Sequence, residues 1–140
     1  MKAVFADTFY WVALTNPDDS RYRDAMATEP LLRSVQVVTT DEILTEFMTF
    51  FASDSWFRRL ASVTVRRLLT SAAVHVFPQS RESFLSGVSL YEARADKGYS
   101  LTDCISMQTM RREGIADILT NDRHFEQEGF RALFRAASIG

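Results

Sequence analysis

Apolar residues along this chain fall into short blocks of two kinds, brief β-branched or aliphatic runs and longer helical stretches, and the two kinds alternate. Lys2 to Ala6 is a brief apolar run ending at Asp7, and TFYWVALT after it is dense enough in aromatic and aliphatic residues for a buried helix. Asn16, Pro17, Asp18 and Asp19 make a turn and a capped start for a helix from about Ser20 to Thr28, with Tyr22, Ala25 and Met26 inward; Leu31 to Arg33 lead out of it. SVQVV is a second strand by its β-branched content, and Thr39, Thr40 and Asp41 turn the chain into the helix EILTEFMTFFAS. There Ile43, Leu44, Phe47, Met48, Phe50 and Phe51 cover more than one face, so this helix is buried on two sides or faces a partner.

Ser53, Asp54 and Ser55 break and recap the chain for WFRRLASVTVRRLLTSAA, a helix with Arg58, Arg59, Arg66 and Arg67 as a basic outer stripe. VHVF before Pro78 is a third strand. Ser80 caps a helix from about Arg81 to Asp96, whose apolar positions Phe84, Val88, Tyr91 and Ala95 recur at spacings of three and four, and Gly98 ends it. The stretch SLTDCISMQTMRREGIADILTNDRHF, Ser100 to Phe125, holds a helix capped at Thr102 or Asp103, with Ile105, Met107, Met110 and Ile115 at near-helical spacing. Arg111 and Arg112 sit near its end, where the helix dipole favours cations, and Gly114 stops it. Asp117 to Leu119 is a fourth, short strand; Thr120, Asn121 and Asp122 turn the chain, Arg123 to Glu128 form a turn or one short helix, and FRALF after Gly129 is a last edge strand. Strands alternating with helices predict an α/β fold, a three-layer α/β/α sandwich around a mainly parallel sheet of four to five strands with right-handed crossovers.

Composition narrows the class. A chain of 140 residues at 46% hydrophobic, with 11 Phe and no internal repeat, low-complexity tract or linker, reads as one domain over residues 1–140 that buries its own core. A formal net charge of −2 means that global charge does not announce a nucleic-acid binder; any RNA contact has to rest on a local basic patch. The single Cys104 excludes an intrachain disulfide framework and reads as a core residue. No segment reads as a targeting signal or membrane span, so a cytoplasmic location is expected.

The chemistry lies in the acids. Asp7 closes the first strand, Asp122 follows the fourth, Asp103 opens a helix, and Glu46 or Glu42 stands in the first turns after the second strand. In an open parallel sheet, ligands bind outside the carboxyl ends of the strands, where such acids gather. Each Asp alone is explicable as a helix cap or turn former; their recurrence at the ends of so many units is not. Clustered carboxylates repel, and the expected remedy is a divalent cation. All-oxygen ligands select Mg²⁺ or Mn²⁺, and two His and one Cys offer no zinc spacing. A metal so held serves phosphodiester hydrolysis by activating water and stabilising the leaving oxygen. Competing chemistries fit less well. An aspartyl phosphatase needs a second acid two positions after the first, where Phe9 stands, and a receiver domain needs an early acidic pair and a late Lys after a strand.

VFADTFYWVAL, VTTDEILTEFMTFF and SLTDCISMQTMRREGIADILTNDRHFEQEGF resemble, in order and across essentially the whole chain, the motifs of PIN-domain ribonucleases, especially the VapC-type toxins of toxin–antitoxin pairs. The resemblance implies a PIN-like fold and a Mg²⁺- or Mn²⁺-dependent endoribonuclease that cuts RNA without a covalent intermediate. It makes Asp7, Glu46, Asp103 and Asp122 the catalytic, metal-binding acids, with Glu46 chosen over Glu42 on the match of LTEF, and Thr8, Thr120 and Asn121 supporting residues. It further implies a homodimer and a small cognate antitoxin. Candidate RNA contacts are Arg94, Lys97, Arg111, Arg112 and Arg123, with His124 assigned no role as a general base. A stand-alone PIN nuclease in RNA processing and a non-catalytic binding module are the alternatives, and the RNA target leaves no code in the chain.

Overall fold

The structure, a computed structural model, describes residues 2–135. Five parallel strands form one sheet: β1 (Ala3–Ala6), β2 (Gln36–Thr40), β3 (Val74–Phe77), β4 (Asp117–Leu119) and β5 (Arg131–Ala132), in the order β3-β2-β1-β4-β5. Between β1 and β2 run α1 (Thr8–Thr15), α2 (Tyr22–Thr28) and a 3-10 turn, Glu29–Leu32; α3 (Asp41–Phe50) and α4 (Ser55–Thr70) lead to β3. Next, α5 (Arg81–Ala93) and α6 (Leu101–Glu113) lead to β4, and α7 (Arg123–Gln127) leads to β5. The chain steps outward from β1 to β3 and then crosses to the other side of β1. Right-handed crossovers therefore put α1–α4 on one face and α5–α7 on the other, which gives the three-layer α/β/α sandwich. The limits of the expected domain, residues 1 and 140, lie outside the described residues. Among those residues no helix is long and apolar enough to cross a membrane.

The three inner strands are too short to alternate and are buried on both faces, so they read as apolar runs: Val4, Phe5, Val37, Val38, Ile118 and Leu119 are all buried. Phe47, Met107, Met110, Phe125 and Phe134 fill the layers on either side.

Several local expectations are corrected. Thr39 and Thr40 extend β2 rather than turning the chain, because both side chains are buried and bonded: the Thr39 hydroxyl donates to the Ala6 carbonyl at 3.0 Å, and Thr40 caps α3 by accepting from the Ile43 N–H at 3.2 Å. The cap of α6 is neither Thr102 nor Asp103 but Ser100, in a reciprocal capping box with Asp103. α2 starts at Tyr22, with Ala25 inward and Met26 exposed. FRALF contributes two strand residues, after which 133–135 turn helical, with Phe134 anchored in the core.

The inward face of α5 also differs from expectation, since Phe84 and Tyr91 are exposed and the helix instead buries Gly87 and Leu90. Gly87 is required because α6 comes very close: a Cβ there would sit 2.4 Å from Ile105 Cγ1 and 3.3 Å from the Ile105 backbone nitrogen. Gly114, in contrast, is needed for its left-handed backbone (φ 68°), which closes α6 through N–H bonds to Arg111 and Met110.

Candidate active site

The parallel register aligns Phe5 with Ile118 and Ala6 with Leu119, so the next residues, Asp7 and Thr120, emerge side by side from the carboxyl ends of β1 and β4. This is the point where the strand order reverses, the crevice in which open α/β sheets hold ligands. The Thr120 hydroxyl donates to Asp7 Oδ2 at 2.7 Å and accepts from the Asp122 N–H at 3.2 Å, tying the two strand exits together. On the other flank of β1, Thr39 holds the Ala6 carbonyl and accepts from the Trp11 indole N–H at 3.4 Å. Asp7 is thereby fixed from both neighbouring strands.

Of the remaining acids, Glu46 comes from the middle of a helix, and Asp103 and Asp122 come from helix starts. Glu46, on α3, accepts the Thr8 hydroxyl at 2.5 Å; Glu42, one turn earlier, lines the same groove further from Thr8, with Gln79. Asp103, in the first turn of α6, uses Oδ2 to accept the Ser100 N–H at 3.1 Å. Asp122 caps α7 by accepting the His124 N–H at 2.9 Å. Asp7, Glu46, Asp103 and Asp122 thus come together, with Thr8 and Thr120 orienting two of them. Asn121 is exposed and makes no side-chain hydrogen bond among the described residues.

Electrostatics show how close this gathering is. Burial pushes Asp7 up to about 7; the Thr120 bond opposes the shift, and the charges of Asp103 and Glu46 add to it. Asp103 is also raised, first by burial and then by Asp122 and Glu46, against its bonds to Ser100. Each acid feels the next. One atom each from Asp103, Asp122 and His124 lies within 4.8 Å of the others, so a carboxylate-rich donor set that repels itself is presented to one small volume. Such a set fits a hard divalent cation.

A groove of about 590 Å³ starts at Thr8 and Glu46 and runs past Glu42, Thr49 and Phe50 to Gln79 and Thr102. It continues into a second hollow of about 630 Å³ beside Arg81 and Phe84.

Of the candidate RNA contacts, Arg94 and Arg111 are not available at the acids. Both bind Glu128, at 3.0 and 2.7 Å, and Tyr99 donates its hydroxyl to the same carboxylate at 2.9 Å. Lys97 lies 3.9 Å from Asp96, and Arg112 pairs with Glu113 and lies over the Phe77 ring. Arg123, exposed beside Asp122, has no charged partner among the described residues. Glu128 and Tyr99 were not legible as a unit in the sequence. Ser100 was missed as the cap although it carried a signal, a Ser followed three residues later by an acid, which is a capping-box signature.

Residues 4–130 match the PIN domain family. This chain is a PIN domain protein. Over 131 residues it is 29% identical to the 23S rRNA-specific endonuclease VapC20 of Mycobacterium tuberculosis, covering 91% of this chain and 95% of that one. The crystal structure of VapC20, a sarcin-ricin loop cleaving toxin, superposes with a TM-score of 0.79 at 26% identity, over 91% of this chain and 95% of that one. At 14% identity the fold is also shared with VapBC2 from Rickettsia felis bound to a DNA fragment from its promoter (TM-score 0.66, 93% and 96% covered) and with FitAcB from Neisseria gonorrhoeae (0.61, 92% and 95%). The three-layer sandwich expected from the alternating pattern, and the PIN-like form that the motif resemblance implies, are therefore those observed.

Proposed function

We propose that this PIN domain protein is a divalent-metal-dependent endoribonuclease and the toxin of a type II toxin–antitoxin pair. The observation that carries the reading is the meeting of Asp7, Glu46, Asp103 and Asp122, from four different elements, at the crevice between β1 and β4. Asp7, Asp103 and Asp122, with Glu46 beside them, would hold Mg²⁺ or Mn²⁺. The cation, when bound, activates the water that adds to phosphorus and offsets charge on the departing oxygen.

The chain's own residues prepare that chemistry. Thr120 and Thr8 hold Asp7 and Glu46 in fixed rotamers, so the carboxylates need no reorganisation when RNA enters. The Ser100 capping box does the same for Asp103, and the start of α7 for Asp122. The groove from Thr8 to Gln79 would lead an RNA strand to the acids, and Arg123, exposed next to Asp122 in the chain, is the cation we assign to meet a phosphate. The name of the mycobacterial relative makes structured ribosomal RNA the first substrate to test.

The partners follow the same reading. Phe50 and Trp56 are 61% and 64% exposed on α3 and α4, apolar surface suited to a second copy of the chain or to a small antitoxin segment covering the groove. We place the protein in the cytoplasm, as one nuclease domain over residues 1–140.

The test is cleavage of a structured-RNA pool by antitoxin-free protein with Mn²⁺ or Mg²⁺, with chelator, and beside Asp103→Asn. Metal-dependent cuts that disappear in the variant are expected. Equal activity, or equal inertness across a pool that includes ribosomal RNA, overturns the reading.

A further inference from the structure

Two side-chain polar atoms among the described residues are buried without a hydrogen-bond partner, Ser106 Oγ and His124 Nδ1. Ser106 lies within the packed face of α6. His124 Nδ1 lies among the acids' carboxylates, 3.3 Å from Asp122 Oδ1 and 3.8 Å from Asp103 Oδ2, with neither approach meeting hydrogen-bond geometry. A buried ring nitrogen that neither donates nor accepts is costly, and in the tautomer with the proton on Nε2 its lone pair faces two carboxylates, which adds repulsion. A cation shared by the imidazole and the two carboxylates relieves both.

The ring is also held as a ligand ring is held. The His124 backbone N–H is fixed on Asp122, and the imidazole packs edge-on against Tyr99, centroids 5.2 Å apart at 61°. Tyr99 is pinned through its hydroxyl to Glu128, which Arg94 and Arg111 clamp in turn. Outer supports of this kind orient the ligating side chain and are a regular part of metal sites.

We infer that His124 offers Nδ1 as a nitrogen ligand to the cation held by Asp103 and Asp122, making this centre prefer Mn²⁺ over Mg²⁺; this rests on the reading of the acids as a metal site. Mg²⁺ keeps to oxygen and water, whereas imidazole suits the transition ions, Mn²⁺ being the one that also accepts a carboxylate-rich set. One nitrogen among carboxylates falls short of the nitrogen- and sulfur-rich sets that zinc takes.

The experiment uses the full chain without antitoxin. Mn²⁺ bound to the wild type is examined by pulsed electron paramagnetic resonance for coupling to ¹⁴N, and Mn²⁺ and Mg²⁺ affinities are measured calorimetrically for the wild type, His124→Phe and Asp103→Asn. His124→Phe keeps the ring against Tyr99, and a melting curve confirms that it is folded. Expected are ¹⁴N coupling in the wild type, its loss in His124→Phe, and a Mn²⁺ affinity lower by roughly tenfold there, with Mg²⁺ changing less than about twofold. Bound Mn²⁺ without ¹⁴N coupling, or coupling that survives in His124→Phe, overturns the inference while leaving the acids as the metal site. The wild-type spectrum decides even if the variant fails to fold. No Mn²⁺ binding by wild type, with Asp103→Asn indistinguishable from it, overturns the metal reading and this inference together.

Discussion

Two buried carboxylates lie on the same side of this molecule and are treated in opposite ways. Burial alone would raise Glu128, but hydrogen bonds from Arg94, Arg111 and Tyr99 and the nearby guanidinium charge overcome it and pull it down to about 2. Its side chain is 5% exposed and fully paired. Asp7 is as well buried but has one hydroxyl and, around it, other acids, and it is pushed up to about 7. A carboxylate surrounded by cations builds structure; one surrounded by carboxylates leaves a demand that a ligand must meet. The contrast separates a strut from a site without reference to any relative.

The largest expected effect breaks the Asp7 side. Asp7→Asn lowers RNA cleavage by at least about a hundredfold, as loss of a metal-holding carboxylate should. The metal-free protein meanwhile melts higher than wild type, because an amide oxygen still accepts from Thr120 and no buried charge has to form. Steady-state cleavage assays and calorimetric melting in chelator check the two halves; a variant that loses both activity and stability makes Asp7 a strut after all.

Glu128→Gln is the converse. Removing the charge leaves Arg94 and Arg111 facing each other, and the urea midpoint falls modestly, since both guanidiniums are more than a third exposed and water screens the loss. Cleavage per folded molecule falls far less than in Asp7→Asn. Urea unfolding beside the same RNA assay measures both.

Acidity sharpens the comparison further. Glu128 has a folded pKa below its ordinary 4.5, so its contribution is present above pH 4.5 and is lost as pH falls towards 2. Asp7 has a folded pKa above its ordinary 3.8, so the metal-free protein loses stability as pH rises from 3.8 to about 7. Urea midpoints measured in chelator across this range should show both arms. Asp7→Asn should flatten the upper one and Glu128→Gln the lower, and added Mn²⁺ should restore the wild type near neutral pH by mass action.

The smallest effect distinguishes the arginines. Arg123→Ala is expected to weaken RNA binding a few-fold and lower its salt slope by about one, with stability unchanged. Arg94→Ala should lower stability. Filter binding at several salt concentrations reads the difference.

What the chain revealed in advance follows the range of the interaction. The alternation of strands and helices, the Gly114 stop and the acids at unit ends are local or periodic, and they were legible. The pairing of Thr39 with Ala6, which lengthens β2, spans 33 residues, and the Glu128 knot joins residues 17, 29 and 34 positions away. No local pattern encodes such partners. The turned face of α5 was missed for a related reason: apolar spacing pointed to Phe84 and Tyr91, whereas the contact was set by a residue with no side chain, Gly87. Glu46 over Glu42 was open on periodicity, since both share a face; the hydroxyl of Thr8, the residue after Asp7, distinguishes them in space.

Gly87 carries a consequence of another kind. It lies far from the acids along the chain, yet it meets Ile105, two residues beyond Asp103, and an added side chain forces Ile105 or the α5–α6 packing to shift. On the toxin reading proposed above, a cell that survives expression of this chain has to disarm it, and replacements of this one glycine are expected to do so through the packing of the Asp103 helix rather than by touching the chemistry. In a survivor screen, codon 87 should therefore be hit repeatedly by many different amino acids, whereas the acid codons are released by almost any change at all. Together they would trace α6 as the genetic hinge of the molecule.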